Sequence, residues 1–159
     1  MPAKPRRETD LYLPVKNLFA GRNYKIRAEV NGCDLVAVKD QEMVIVELKT
    51  SVNIRLLTQA VERLSITPMV YIAVPEPSRK RNSHWRGIIK LLKMLGLGLI
   101  LVTFGPAGAR AGIAFDPGAR QPSRNIKKIK NLKREFEGRS ADHNTGGSNR
   151  SPLMTSYEE

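Results

Sequence analysis

The stretch Tyr24 to Lys49, YKIRAEVNGCDLVAVKDQEMVIVELK, leaves few folds open to the rest of the chain. Residues 24–30, 33–39 and 42–48 are rich in Val, Ile and Leu and read as three strands. Asn31-Gly32 between the first two is the strongest short hairpin signal, and Asp40-Gln41 supplies the next turn. Two-residue loops fix the register, pairing Val30 with Cys33 and Lys39 with Glu42. Asp34 then faces Glu47, with Cβ atoms roughly 5 Å apart, and Glu29 falls on the other side of Asp34. Lys49 lies two residues beyond Glu47 and points the same way. Ile26, Ala28, Val30, Leu35, Ala37, Val44, Val46 and Leu48 fill the opposite, apolar face.

Like charges set opposite one another destabilise a sheet, so the row Glu29, Asp34, Glu47 needs a reason. A divalent cation supplies one, since hard oxygen ligands at this spacing suit Mg²⁺ or Mn²⁺. The alternative is that the strands end near these residues and the acids reach water. The added Glu47-x-Lys49 favours a site.

Asp34 followed by Glu47-Leu48-Lys49 resembles the D-x(n)-(D/E)-x-K signature of the PD-(D/E)XK nuclease superfamily. Four stretches resemble more closely an uncharacterised bacterial family of PD-(D/E)XK-type phosphodiesterases: GCDLVAV (32–38), VIVELK (44–49), LLTQAVERL (56–64) and REFEGRSADHNTGGS (134–148). The likeness covers about residues 8–154. Cys33-Asp34 stands where the superfamily usually has Pro-Asp, a departure that spares the ligand itself. The resemblance implies an α/β, restriction-endonuclease-like mixed β-sheet, a three-strand antiparallel meander plus a crossover strand, flanked by helices. It implies a metal held by Asp34, Glu47 and the Leu48 carbonyl, with Glu29 or Glu8 completing the set, and a catalytic role for Lys49. Gln59 matches a glutamine many members carry just after the E-x-K strand, where it orients a phosphate or a metal-bound water. A plain exposed glutamine would look the same, and Glu8 reads equally well as a first-turn acid favoured by the helix dipole.

The remaining elements are set by periodicity. Residues 7–20 read as a helix with Leu11, Val15, Leu18 and Phe19 on one face and Gly21 as its stop. Asn53 to Ser65 reads as a second, with Leu57, Ala60, Val61 and Leu64 inward and Arg55, Gln59 and Arg63 in a polar line. Met69 to Val74 is a buried strand reached by a right-handed crossover. Ser83 to Leu95 is a helix with Trp85, Ile88, Ile89, Leu92 and Leu95 inward, and Arg86, Lys90 and Lys93 outward. Leu99 to Phe104 is a strand, 105–112 a loop, and 113–115 a short edge strand. From Ser123 a last helix carries Ile126, Ile129, Leu132, Lys133 and Phe136, with a basic outer face and Gly138 as its cap. The domain expected is 1–137, followed by a Gly/Ser/Asn-rich tail at 138–159 that is either a linker or the start of a truncated helical segment.

Charge narrows the partner. The formal net charge is +12. Residues 1–78 hold eleven Lys and Arg against nine acids, whereas residues 79–139 hold fifteen against three. Such a surplus is either a solvated face or a surface for a polyanion, and beside a metal site the second reading is favoured. Arg55, Arg63, Lys90, Lys93, Lys127, Lys128 and Lys130 are the expected substrate-binding residues, tracking a phosphate backbone. One cysteine, Cys33, fits a reducing cytosol and a buried packing role. The apolar run 94–104 is too short to span a bilayer. His84 has no partner at zinc spacing, and Gly96-Leu97-Gly98 lacks a dinucleotide fingerprint. The expectation is a cytoplasmic Mg²⁺- or Mn²⁺-dependent phosphodiesterase acting on nucleic acid, DNA before RNA, without a membrane and with a homodimer left open. An inert nucleic-acid-binding module and a hydrolase of small phosphorylated substrates are the rivals.

Overall fold

The computed structural model describes residues 7–78, 82–118, 124–139 and 146–147. The chain forms two compact units, Met1–Gln121 and Pro122–Glu159. The sequence suggested a boundary sixteen residues later, at 137/138.

The first unit holds a six-stranded sheet whose spatial order is the chain order. Its elements are α1 (Thr9–Ala20), β1 (Lys25–Val30), β2 (Cys33–Lys39), β3 (Glu42–Leu48), α2 (Ile54–Arg63), β4 (Val70–Pro75), α3 (Ser83–Leu95), β5 (Gly98–Gly105) and β6 (Gly108–Phe115). The pairs β1–β2, β2–β3 and β5–β6 are antiparallel, and β3–β4 and β4–β5 are parallel. This is a mixed sheet consistent with a restriction-endonuclease-like fold.

The two parallel pairs decide where the helices go. Each needs a crossover, and crossovers of one hand advancing in one direction land on one face. Accordingly α2 and α3 share a face, where Leu56, Ala60, Trp85 and Leu92 pack with Ile45, Val70, Ile72 and Leu99. The other face is left to α1, whose Leu11, Val15 and Phe19 pack with Leu35, Ala37, Val46, Tyr71, Ile100 and Val102. Being covered on both sides, Val44–Leu48 and Val70–Val74 are wholly buried. Asparagine side chains start both crossover helices: Asn53 accepts from the Leu56 N–H at 2.8 Å, and Asn82 from the His84 N–H at 2.7 Å. His84 thus sits in the first turn of α3 with its side chain exposed and its backbone N–H capped by Asn82.

The predicted register of the meander is present: Val30 pairs with Cys33 and Lys39 with Glu42. Asn31 and Gly32 have φ of 48° and 80°, the pair of left-handed residues that a tight I′ turn requires. Two expectations fail. Residues 108–115 form a full strand, β6, where a loop to 112 and a three-residue edge were expected. Its GARAGIAF composition is poor in β-branched residues and hid the strand; pairing with β5 overrides that weak preference. Glu29 has φ of 54°, so it departs from the pleat that would have set it squarely across from Asp34.

The second unit contains α4 (Ile126–Gly138), whose N-cap Asn125 accepts from the Lys128 N–H. Ile126, Leu132 and Phe136 are exposed on it, as are Lys127, Lys128 and Lys130. The tail from 140 lies outside the described residues apart from 146–147, so the reading of it as linker or truncated helix does too.

Candidate active site

The site forms where β2 and β3 part. Ile45 and Lys49 donate their backbone N–H groups to Met69, just before β4, and to Ala73 within it, so the even-numbered N–H groups of β3 turn toward β2. The ladder between β2 and β3 ends at Leu35–Val46. One step further on, the Leu48 N–H donates instead to Oδ2 of Asp34, at 2.8 Å. A side-chain carboxylate has replaced a backbone carbonyl. The Leu48 carbonyl points to the same side as its N–H, toward the gap left by the ended ladder.

Glu47 stands beside Asp34 and is almost wholly enclosed, at 3% exposure. Burial pushes its carboxyl above the usual glutamate range, the Arg63 hydrogen bond draws it back, and the charge of Asp34 pushes it up again. Arg63, from the end of α2, donates Nε to Glu47 Oε1 at 2.7 Å and Nη2 to the Gly32 carbonyl at 3.0 Å. On the α1 side, Lys49 Nζ meets Glu8 Oε1 at 2.8 Å. Glu8, Thr9, Tyr12, Ala28, Glu29, Asp34 and Leu48 line a cavity of about 290 Å³.

The structure therefore sets Asp34 beside Glu47 and the Leu48 N–H, and corrects the flat row of three acids followed by Lys49 on the same side. Glu47 reaches toward α2 and Lys49 toward α1, because Lys49 lies past the end of β3 and is freed from the alternation. Glu8 is engaged by Lys49, and Glu29 contributes only to the cavity wall. Among the described residues no group of three or more His, Cys, Asp or Glu is disposed to hold a metal ion, so the expected ligand set with Glu29 and Glu8 is not assembled. Two adjacent carboxylates and a backbone carbonyl remain. They are hard oxygen donors, and the charged form of one is disfavoured by burial and by its neighbour. That chemistry fits Mg²⁺ or Mn²⁺.

Of the expected substrate contacts, Arg55 and Lys90 are exposed, and Gln59 is half-buried one turn before Arg63. Lys93 lies 5.0 Å over the Phe115 ring, a cation–π contact within the first unit. Arg63 is the clearest departure, since it is held by Glu47 and not presented to a backbone. No local pattern could have shown this: the pair lies sixteen residues apart and meets only through the crossover. Glu8 and Lys49, forty-one apart, are the same case. Cys33 is buried, as expected, and burial pushes its thiol up.

No helix among the described residues is long and apolar enough to cross a membrane. No curated protein and no solved structure matches the chain. A family model described as "Putative PD-(D/E)XK phosphodiesterase (DUF2161)" matches residues 100–159, a stretch that begins in β5, takes in β6 and α4, and includes REFEGRSADHNTGGS. That match over the last part of the chain joins the Asp34, Glu47-x-Lys49 pattern of the first part, and both point to the PD-(D/E)XK superfamily.

Proposed function

We propose that the protein is a divalent-metal-dependent phosphodiesterase that hydrolyses nucleic acid, DNA foremost. The observation that carries this reading is the pairing of buried Glu47 with Asp34 where two strands part, with Lys49 at the rim. Asp34, Glu47 and the Leu48 carbonyl would hold Mg²⁺ or Mn²⁺. A bound divalent ion polarises a phosphoryl oxygen and lowers the pKa of its water.

The chain's own groups do the rest. The Leu48 N–H fixes Asp34 and leaves its second oxygen for the site. Lys49 orients the attacking water and offsets the charge that grows on the phosphoryl oxygens. Glu8 holds the Lys49 ammonium at the rim until substrate takes it up. Arg55, Lys90, Lys93 and the α4 lysines Lys127, Lys128 and Lys130 supply backbone contacts without sequence information. Gln59 positions a phosphate or the water from α2.

A cleavage screen over linear, nicked, flapped and junction DNA and over RNA, with Mg²⁺, Mn²⁺ or chelator, tests the proposal. Cleavage confined to the metal-containing reactions is the expected result. A second reading draws on the two ion pairs, which already engage Glu47 and Lys49: a nucleic-acid-binding module without chemistry. It predicts salt-sensitive, metal-independent binding and no cleavage of any substrate in the screen.

A further inference from the structure

Arg63 joins three elements at one point. It belongs to the last turn of α2, donates Nε to Glu47 on β3, and donates Nη2 to Gly32 in the β1–β2 turn. The contact to Glu47, at 2.7 Å, is that of a desolvated charge-assisted bond, with Arg63 18% and Glu47 3% exposed. The oxygen it occupies belongs to one of the two carboxylates assigned to the cation, so any competition between arginine and metal rests on the proposed metal site. A guanidinium and a divalent ion on one carboxylate repel each other strongly where water is excluded. Binding of either therefore opposes binding of the other.

The arginine is the mobile partner. Its second bond is to a neutral carbonyl in an exposed turn, a modest anchor. A guanidinium is also the side chain best suited to a phosphate, which it grips with two parallel N–H groups. A polyanion entering beside Glu47 would offer Arg63 a replacement for the bond it loses. We propose that Arg63 is the gate of the site. It fills Glu47 while no metal is bound and transfers to a substrate phosphate when the metal enters. Metal and nucleic acid then bind with positive coupling, and the coupling passes through one side chain. Because linkage is reciprocal, whatever factor the metal adds to nucleic-acid affinity, the nucleic acid adds to metal affinity. Arg63 is on this view a positioning residue, and its role is read in metal affinity before any chemistry.

Calorimetric titration of Mn²⁺ into the full chain provides the test, with wild type, Arg63→Gln and Asp34→Asn compared at one pH. Arg63→Gln is expected to bind Mn²⁺ about tenfold tighter or more, since it loses the resident competitor. A short phosphorothioate DNA duplex is expected to raise the Mn²⁺ affinity of wild type and to leave that of Arg63→Gln unchanged. Weaker binding by Arg63→Gln would overturn the gate, because loss of a merely supporting residue lowers metal affinity, by about 10–100-fold. Equal binding would overturn it as well. The wild-type comparison with and without duplex needs no variant to fold, and an unchanged affinity there also defeats the proposal. Asp34→Asn separates the two layers. If it abolishes Mn²⁺ binding while Arg63→Gln weakens it, the metal site stands and the gate falls. If it binds like wild type, or if no protein binds Mn²⁺, the site and the gate fall together.

Discussion

Replacing Arg63 by alanine isolates the energetic claim about Glu47. Removal of one partner of a buried ion pair leaves the other charge without compensation, a loss of about 3–5 kcal/mol when water stays out. Glu47 meets that condition at 3% exposure, whereas Arg63 at 18% leaves a path by which water can follow its departure. The lost bond to Gly32 adds about 1 kcal/mol. Partial rehydration and proton uptake by Glu47 work the other way, and the expected loss at pH 8 is about 2–4 kcal/mol. For a chain of this size that lowers the melting temperature by on the order of 10 °C. Chemical denaturation of Arg63→Ala, Glu47→Gln and the double variant completes a thermodynamic cycle, with a coupling of about 2 kcal/mol or more expected between the sites. A loss below about 1 kcal/mol, or an equal loss with Glu47 already replaced, would refute the pairing as an energetic feature.

The same geometry sets three further outcomes. Because the Glu47 carboxyl titrates higher in the folded chain than its ordinary value of about 4.5, its stabilising contribution is complete below that value and is lost as pH rises through the folded one. The difference in unfolding free energy between wild type and Glu47→Gln should fall over that window and flatten above it; a flat difference throughout would contradict the burial argument. Gly98→Ala should destabilise by about 1–3 kcal/mol in thermal melts, since a Cβ there would lie 2.6 Å from the Tyr71 ring, which Asp116 holds in place, and 2.8 Å from Pro117. An unchanged melt would count against the Tyr71–Gly98 register of β4 and β5. Lys49→Ala should lower kcat by about 10²-fold or more with KM and Mn²⁺ affinity unchanged, and Lys49→Arg should recover little of it. Its ion pair with Glu8 is half-exposed, so the stability change should stay under about 1 kcal/mol. Wild-type cleavage by Lys49→Ala would remove the lysine from the mechanism.

How much was legible in the sequence depended on how local each determinant is. Asn31-Gly32 and Asp40-Gln41 are two-residue turns, and once they are set the register of both strand pairs follows. The adjacency of Asp34 and Glu47 came from that arithmetic. The crossover helices were legible because Leu57 and Ala60, and then Trp85 and Leu92, recur at the helical period, although Val61 is exposed and Leu56 takes its place inside. Arg63–Glu47 and Lys49–Glu8 were not, since each joins residues that only the packed layers bring together. Nor does anything in the letters around Glu29 announce a left-handed backbone. The β6 strand was hidden by its own side chains, because glycine and alanine carry little strand preference and its pairing comes from β5. Asp34 was placed correctly but for an incomplete reason: beyond facing Glu47, it takes the N–H that the ended ladder leaves over.

One comparison decides whether Asp34 and Glu47 form a metal-dependent centre for phosphodiester hydrolysis. Wild type and Asp34→Asn, matched in melting temperature and in salt-sensitive DNA binding, are assayed side by side for cleavage of the best substrate under Mn²⁺ titration. The expected result is cleavage by wild type that rises with Mn²⁺ and is abolished by chelator, and none by Asp34→Asn although it still binds DNA. Cleavage by Asp34→Asn at the wild-type rate, or the same wild-type rate in chelator, would contradict it.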